Sequence, residues 1–255
     1  MKSIWQGNIS FGLVSIPIKL FSAINSRTIK FRLLHKKDKS PVKYKRVCEK
    51  ENKEIDWKDI VKGIEIRKGH FYALSDEELE KLKPEKKDFI EIKEFVNLDQ
   101  VDPIYFNNHY YVAPEKEKDK AFFLFKNVLQ STGKAAVGSF IMREKEYTCI
   151  ILSYKSGLLL TTLNYAYEIR NIDEISELRE SISVKEDERM LAQQLIEKLT
   201  KDEFDITQFK DTFEEHLKEI LLKKERGEPI VISKIKGKLK REVNLVNALR
   251  ASLNK

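Results

Sequence analysis

The sequence predicts an α+β protein, a β-rich body followed by a helical C-terminal arm. Three observations carry this prediction. Between Ile9 and Leu163 most apolar residues alternate with polar ones, the period of a strand with one buried face. Beyond about Asn171 the apolar residues recur three and four apart, the period of an amphipathic helix. The 255 residues are 41% hydrophobic and 10% aromatic, enough to pack a core despite a charged content of 35%.

The elements follow in order. Residues 9–21 read as one strand, with Pro17 marking an edge or bulge and Gly12 a bend. Residues 29–34 and 42–47 read as two strands joined at Ser40-Pro41, a long hairpin with Lys43 and Lys45 on one face. Residues 57–61 form a connector and 71–74 another strand. Ser75 and Glu78 form a capping box that opens a helix closed by Pro84. Strands are expected over 89–96 and 105–112. A helix over 119–130 places Ala121, Leu124, Phe125, Val128 and Leu129 as its buried stripe and ends at Gly133. Strands over 136–142, 147–154 and 158–163 form a meander. The arm has helices over 185–199 and 207–224 and a small terminal helix over 242–253.

Charge is segregated. Residues 25–50 hold ten cations: Arg27, Lys30, Arg32, Lys36, Lys37, Lys39, Lys43, Lys45, Arg46 and Lys50. Only Asp38 and Glu49 oppose them, a net +8 where the whole chain is +7. Residues 229–241 add +5 through Lys234, Lys236, Lys238, Lys240 and Arg241, so the remainder is mildly acidic. Such segregation suits a polyanion held in one place. Lysines on an exposed strand also guard against edge-to-edge aggregation, but that role does not call for so dense a cluster. Duplex DNA offers about one charge per 1.7 Å of axis. A hairpin arm of about 14 residues spans on the order of 45 Å, more than one helical turn. No recognition-helix pattern is present, so base readout is not indicated.

Several chemistries find no support. Gly133-Lys134 is followed by Ala135, and Val128 stands where a P-loop needs glycine. The chain has no H-E-x-x-H, G-x-S-x-G or G-x-G-x-x-G. His35, His70, His109 and His216 are scattered, and Cys48 and Cys149 lack partners at metal-ligand spacing. Asp88, Glu91 and Glu94 have helical spacing but fall in a strand-like run, so they do not converge as nuclease ligands. No metal, cofactor or catalytic group is assigned. The N-terminus is no signal peptide, and apolar runs such as 121–125 are far short of a membrane span. A cytoplasmic protein with no membrane partner is expected. Two other readings stay open. One is a single-strand or RNA-binding β-barrel using Phe31 and Tyr44, which strand spacing otherwise reads as packing residues. The other is a metal-dependent nuclease.

The chain also resembles a family. Ile4-Trp5, Gly7, Ile9, Phe11-Gly12-Leu13-Val14 and Ile16-Pro17-Ile18-Lys19 look like the start of prokaryotic Ku proteins. The likeness continues at His35-Lys36, Asp38, Tyr44-Lys45-Arg46-Val47-Cys48, Asp102-Pro103-Ile104-Tyr105-Phe106 and Ser131-Thr132-Gly133-Lys134. It returns at Glu168-Ile169-Arg170, Asp211-Thr212-Phe213, Leu245-Val246, Ala248-Leu249 and Ala251-Ser252.

The resemblance implies a Ku-type β-barrel core over 1–170, an extended β bridge inserted at about 27–74, and a helical arm over 171–255. It implies a non-enzymatic homodimeric ring that threads onto double-stranded DNA ends and recruits an ATP-dependent DNA ligase, of ligase D type, for non-homologous end joining. The phosphate-binding residues would be Arg27, Lys30, Arg32, Lys36, Lys37, Lys39, Lys43, Lys45 and Arg46. Ligase recruitment would fall to the terminal helix, through Val243, Val246, Leu249 and Leu253. The chain departs from the pattern in places. Where many relatives have Cys-x-x-Cys it has Cys48-Glu49-Lys50-Glu51. Where Pro-Asp is common before Glu-Ile-Arg it has Ala166-Tyr167, and it lacks a long lysine-rich tail.

Overall fold

A computed structural model describes residues 1–25, 29–85, 87–178, 182–229 and 245–254. The chain forms two compact units, Met1–Asn171 and Ile172–Lys255.

The first unit is built on a closed barrel. Its strands are β1 (Trp5–Phe11), β2 (Val14–Ser22), β5 (Phe89–Asn97), β6 (Phe106–Pro114), β7 (Lys134–Met142), β8 (Lys145–Tyr154) and β9 (Gly157–Leu163). They run in the order β1-β2-β6-β9-β8-β7-β5, and a short parallel pairing of β1 with β5 closes the circle, Ile9 opposite Ile90. The alternating residues Ile9, Ile16, Ile18, Leu20, Ile90, Val112, Ile151, Leu158 and Leu160 fill the interior. The expected meander is present, with two-residue turns at Arg143-Glu144 and Lys155-Ser156.

The single strand expected over 9–21 is instead a hairpin. Gly12, at φ +57, makes the reversal, and Ile9 faces Ile16 across it. Pro17 lies inside β2 where its missing N–H costs nothing. Pairing with β6 starts one residue later, at Ile18, and the Pro17 carbonyl only accepts from the Glu115 N–H. Closure also needs Gly138, because a Cβ there would sit 2.3 Å from the Glu91 carbonyl oxygen.

The helix α2 (Lys120–Thr132) is capped by the Asp119 carboxylate, which accepts from the Phe122 N–H at 2.8 Å, and ends at Gly133 with φ +65. It touches β2, β7 and β8, strands from opposite sides of the circle, and so covers one end of the barrel. This placement corrects the expected stripe. Phe122, Phe125 and Leu129 enter the core, while Leu124 and Val128 stay 61% and 47% exposed. Helical spacing alone does not say which of two adjacent apolar faces meets the barrel.

The second unit holds α3 (Glu186–Leu199), α4 (Thr212–Glu225) and α5 (Leu245–Leu253), with α5 against α3. Helix α4 begins later than expected because Asp211 caps it, accepting from the Phe213 and Glu214 N–H groups. Thr207 belongs to a separate short turn organised by Asp205. None of the described residues of this unit is buried.

Candidate nucleic-acid interface

The chain leaves the barrel after Ser22 and returns at Phe89, both at the end opposite α2. None of the described residues between them is buried. This segment carries the dense basic cluster.

The regular hairpin expected over 29–47 does not form. Only isolated bridges exist, Leu34 with Pro41 and Val47 with Glu54. Two tight loops of one design take its place. In the first, the His35 N–H donates to the Ser40 carbonyl (2.8 Å) and the Lys39 N–H to the His35 carbonyl (2.9 Å). In the second, the Cys48 N–H donates to Lys53 (2.9 Å) and the Asn52 N–H to Cys48 (2.8 Å). Lys39 and Asn52 take positive φ, 60° and 54°, at equivalent places. Two physical reasons oppose a ladder here. Pro41 has no N–H to give, and facing strands would set like charges opposite one another. The bridge is therefore an extended, looped strap in this part.

Further along, β3 (Lys62–Arg67) and β4 (His70–Leu74) form a hairpin around Gly69, φ +79. Strand β3 was missed by sequence reasoning although Ile64 and Ile66 alternate before Lys68-Gly69, a legible signal. Helix α1 (Asp76–Leu82) carries the expected capping box, with the Glu78 N–H on Ser75 Oγ (3.1 Å) and the Ser75 N–H on Glu78 Oε2 (2.9 Å). Lys83 then pairs with Glu80 and, at 2.7 Å, with Glu144 on the β7–β8 turn. That contact ties the returning limb to the barrel.

The cations differ in their surroundings. Arg27 lies outside the described residues. Lys30, Arg32, Lys36, Lys37 and Lys43 are exposed, and among the described residues no carboxylate pairs with them. Lys39 is turned back on its own loop, its Nζ on the Lys36 carbonyl at 2.7 Å. Lys45 is held by Glu54 at 2.5 Å, which keeps its ammonium charged above the usual lysine range. Lys43 and Lys45 are thus not equivalent. The Arg46 guanidinium lies over the Trp57 ring, 5.0 Å from its centroid. Asp38 accepts from the Ser40 N–H and hydroxyl and faces His35, and these bonds hold its carboxyl below the usual range. Neither Glu54 nor Trp57 was expected in this site. Their contacts join residues nine and eleven apart across a loop, and no spacing rule reports that.

Phe31 and Tyr44 were expected to pack, yet they are 72% and 81% exposed. On the terminal helix, Val246, Leu249 and Leu253 are half-buried and Val243 lies outside the described residues. The basic strip Lys234, Lys236, Lys238, Lys240 and Arg241 also lies outside them. Among the described residues, no group of three His, Cys, Asp or Glu side chains converges to hold a metal ion, and no helix is long and apolar enough to cross a membrane.

A closed seven-strand barrel with a basic excursion between β2 and β5 is the arrangement to be matched. The family model described as the Ku70/Ku80 beta-barrel domain matches residues 10–194. The chain belongs to the Ku family. Curated relatives extend the match to nearly the whole chain. The Non-homologous end joining protein Ku of Heliobacterium modesticaldum is 38% identical over 253 residues, 99% of this chain and 91% of that protein. The protein of the same name from Bacillus subtilis is 35% identical, over 100% of this chain and 82% of its own length. That of Archaeoglobus fulgidus is 35% identical, over 99% and 98%. Membership bears out the Ku-type barrel expected from the opening motifs. Phe11, Gly12, Ile16 and Pro17 of those motifs shape the first hairpin of the barrel.

Proposed function

We propose that two copies of this protein close a ring around a broken double-stranded DNA end, without sequence preference and without catalysis, in the cytoplasm at the nucleoid. The exposed cationic strap rooted at one end of a rigid barrel is the observation that carries this reading. Its phosphate contacts would come from Arg27, Lys30, Arg32, Lys36, Lys37, Lys39, Lys43, Lys45 and Arg46. The unpaired cations, Lys30, Arg32, Lys36, Lys37 and Lys43, are the most available. Lys45 must first be released from Glu54.

Dimerisation is supported by the second unit. Ile196, Leu199, Phe204, Phe209 and Phe213 are all more than half exposed. A helical arm that buries none of its apolar residues gains most of its stability from a partner. Ligase recruitment through Val246, Leu249 and Leu253 rests on the family resemblance, with Val243 completing the same helical face. In this protomer α5 already leans on α3, and Lys198 Nζ donates to the Leu253 carbonyl at 2.7 Å. The docking unit would then be the α3–α5 pair rather than α5 alone.

The deciding experiment compares linear duplex with covalently closed circles of the same sequence. A ring that threads binds the linear form and ignores the circle; equal affinity removes threading. With ~6–10 phosphates neutralised, log affinity falls against log salt with a slope of about −5 to −9. A slope near −1 removes the phosphate-binding strap.

A further inference from the structure

We infer that the strap also carries a stacking site for the unpaired bases of a single-stranded overhang, centred on Trp57 and Arg46. The inference rests on the end-binding reading and assigns a ligand to Trp57, an exposed side chain that phosphate contacts do not explain.

Three aromatic side chains project from the segment 29–59. Phe31, Tyr44 and Trp57 are 72%, 81% and 71% exposed. Two are interleaved with cations, Phe31 between Lys30 and Arg32 and Tyr44 between Lys43 and Lys45, while Trp57 lies between Asp56 and Lys58 with Arg46 over its ring. Exposed aromatics alternating with cations are what a single strand needs, a π-face for the base and a charge for the phosphate.

Of the three, Trp57 is the one held in place. The Ile55 N–H donates to the Arg46 carbonyl at 3.0 Å and brings the two limbs side by side. Trp57 opens a short 3-10 turn closed by the Ile60 N–H on its carbonyl (3.2 Å) and by the Asp59 N–H on Asp56 (3.1 Å). The Arg46 guanidinium covers one face of the indole at 5.0 Å. The indole is still 71% exposed with the guanidinium in place, which leaves room for a flat ligand, and the guanidinium contact steadies the ring for stacking.

Charge decides between base and phosphate at this spot. Residues 48–59 hold Glu49, Glu51, Glu54, Asp56 and Asp59 against three lysines. A phosphate is repelled there; a neutral base is not. Residues 29–47 hold eight cations against Asp38 alone. A strand lying on the basic limb therefore has its backbone held by lysines while its bases reach the indole. The bases of an intact duplex are already stacked and paired, so an overhang uses this site and a blunt end does not.

The test measures binding of the full-length protein, W57F and W57A to a blunt duplex and to the same duplex with a short 3′ overhang. The wild type is expected to prefer the overhang about tenfold, the worth of one or two stacked bases. W57F keeps most of that preference. W57A loses it, its overhang affinity falling about tenfold further than its blunt-end affinity, while its oligomeric mass stays unchanged. The emission that W57A lacks is quenched by the overhang and not by the blunt duplex. Equal wild-type affinity for the two substrates overturns the inference. So does a W57A loss that falls equally on both, or one that accompanies dissociation of the dimer, since Trp57 would then be an interface residue. The arms also separate the two readings: no blunt-end binding defeats end binding, whereas a ratio near one defeats stacking alone.

Discussion

The barrel and the arm spend similar apolar residues in opposite ways. In the barrel, Ile9, Ile18, Leu20, Ile151 and Leu160 are fully buried within one chain. On the helices of the arm, Ile196, Leu199 and Phe213 have the same character and remain more than half exposed. Closure makes the difference. A sheet that returns on itself gives each inward side chain neighbours on all sides and leaves no edge. Two or three short helices shield only the strip between them. The barrel is thus a self-sufficient scaffold, whereas the arm leaves its apolar side chains uncovered, as the proposed dimer requires. The strap lies between these cases, since it has no core and is held in shape by tight loops and local bonds.

The comparison can be pressed at its strongest point first. Ile151→Ala should destabilise the first unit by about 3 kcal/mol, because the closed core cannot collapse onto the cavity. Urea unfolding followed by far-UV circular dichroism measures this. Cys149 tests the same core through pH. Burial pushes its thiol up to about 12, and the opposing hydrogen bond from the Gly138 backbone is the lesser influence. The folded protein thus keeps a proton that the unfolded chain releases near pH 9. Stability should be intact below pH 9 and fall between 9 and 12 as the unfolded state loses protons first. Cys149→Ala should flatten that alkaline limb. In native protein only Cys48, which is half-exposed, should react promptly with a thiol reagent.

A smaller effect is expected at the end cover. Asp119→Ala removes the cap of α2 and should cost about 1 kcal/mol, with the loss visible as faster amide exchange in its first turn. In the arm, Phe209→Ser should change first-unit stability by less than about 0.5 kcal/mol. It should nevertheless weaken self-association roughly tenfold in sedimentation equilibrium. A large folding defect from Phe209→Ser, with unchanged association, would erase the contrast. The smallest effect is expected in the strap. Lys45 and Glu54 are both more than half exposed, so Glu54→Gln should leave the urea midpoint unmoved. The same change frees Lys45 and should make the salt slope of DNA binding steeper by about one.

Sequence by itself determined most of the barrel's strands, though not the reversal at Gly12, together with the cap at Ser75, the helix stop at Gly133, the helical arm and the concentration of positive charge. These are short-range properties, set by residues one to four apart and by composition. Tertiary structure alone decided four things: that β1 and β5 close the barrel, that Phe122 rather than Leu124 faces inward, that the cationic segment is looped rather than laddered, and that Arg46 rests on Trp57. Each depends on residues brought together from further away, as Ile9 is with Ile90. Periodicity reports which side chains share a face. Which face meets the rest of the molecule, and whether like charges tolerate a partner strand, is settled only when the chain closes on itself.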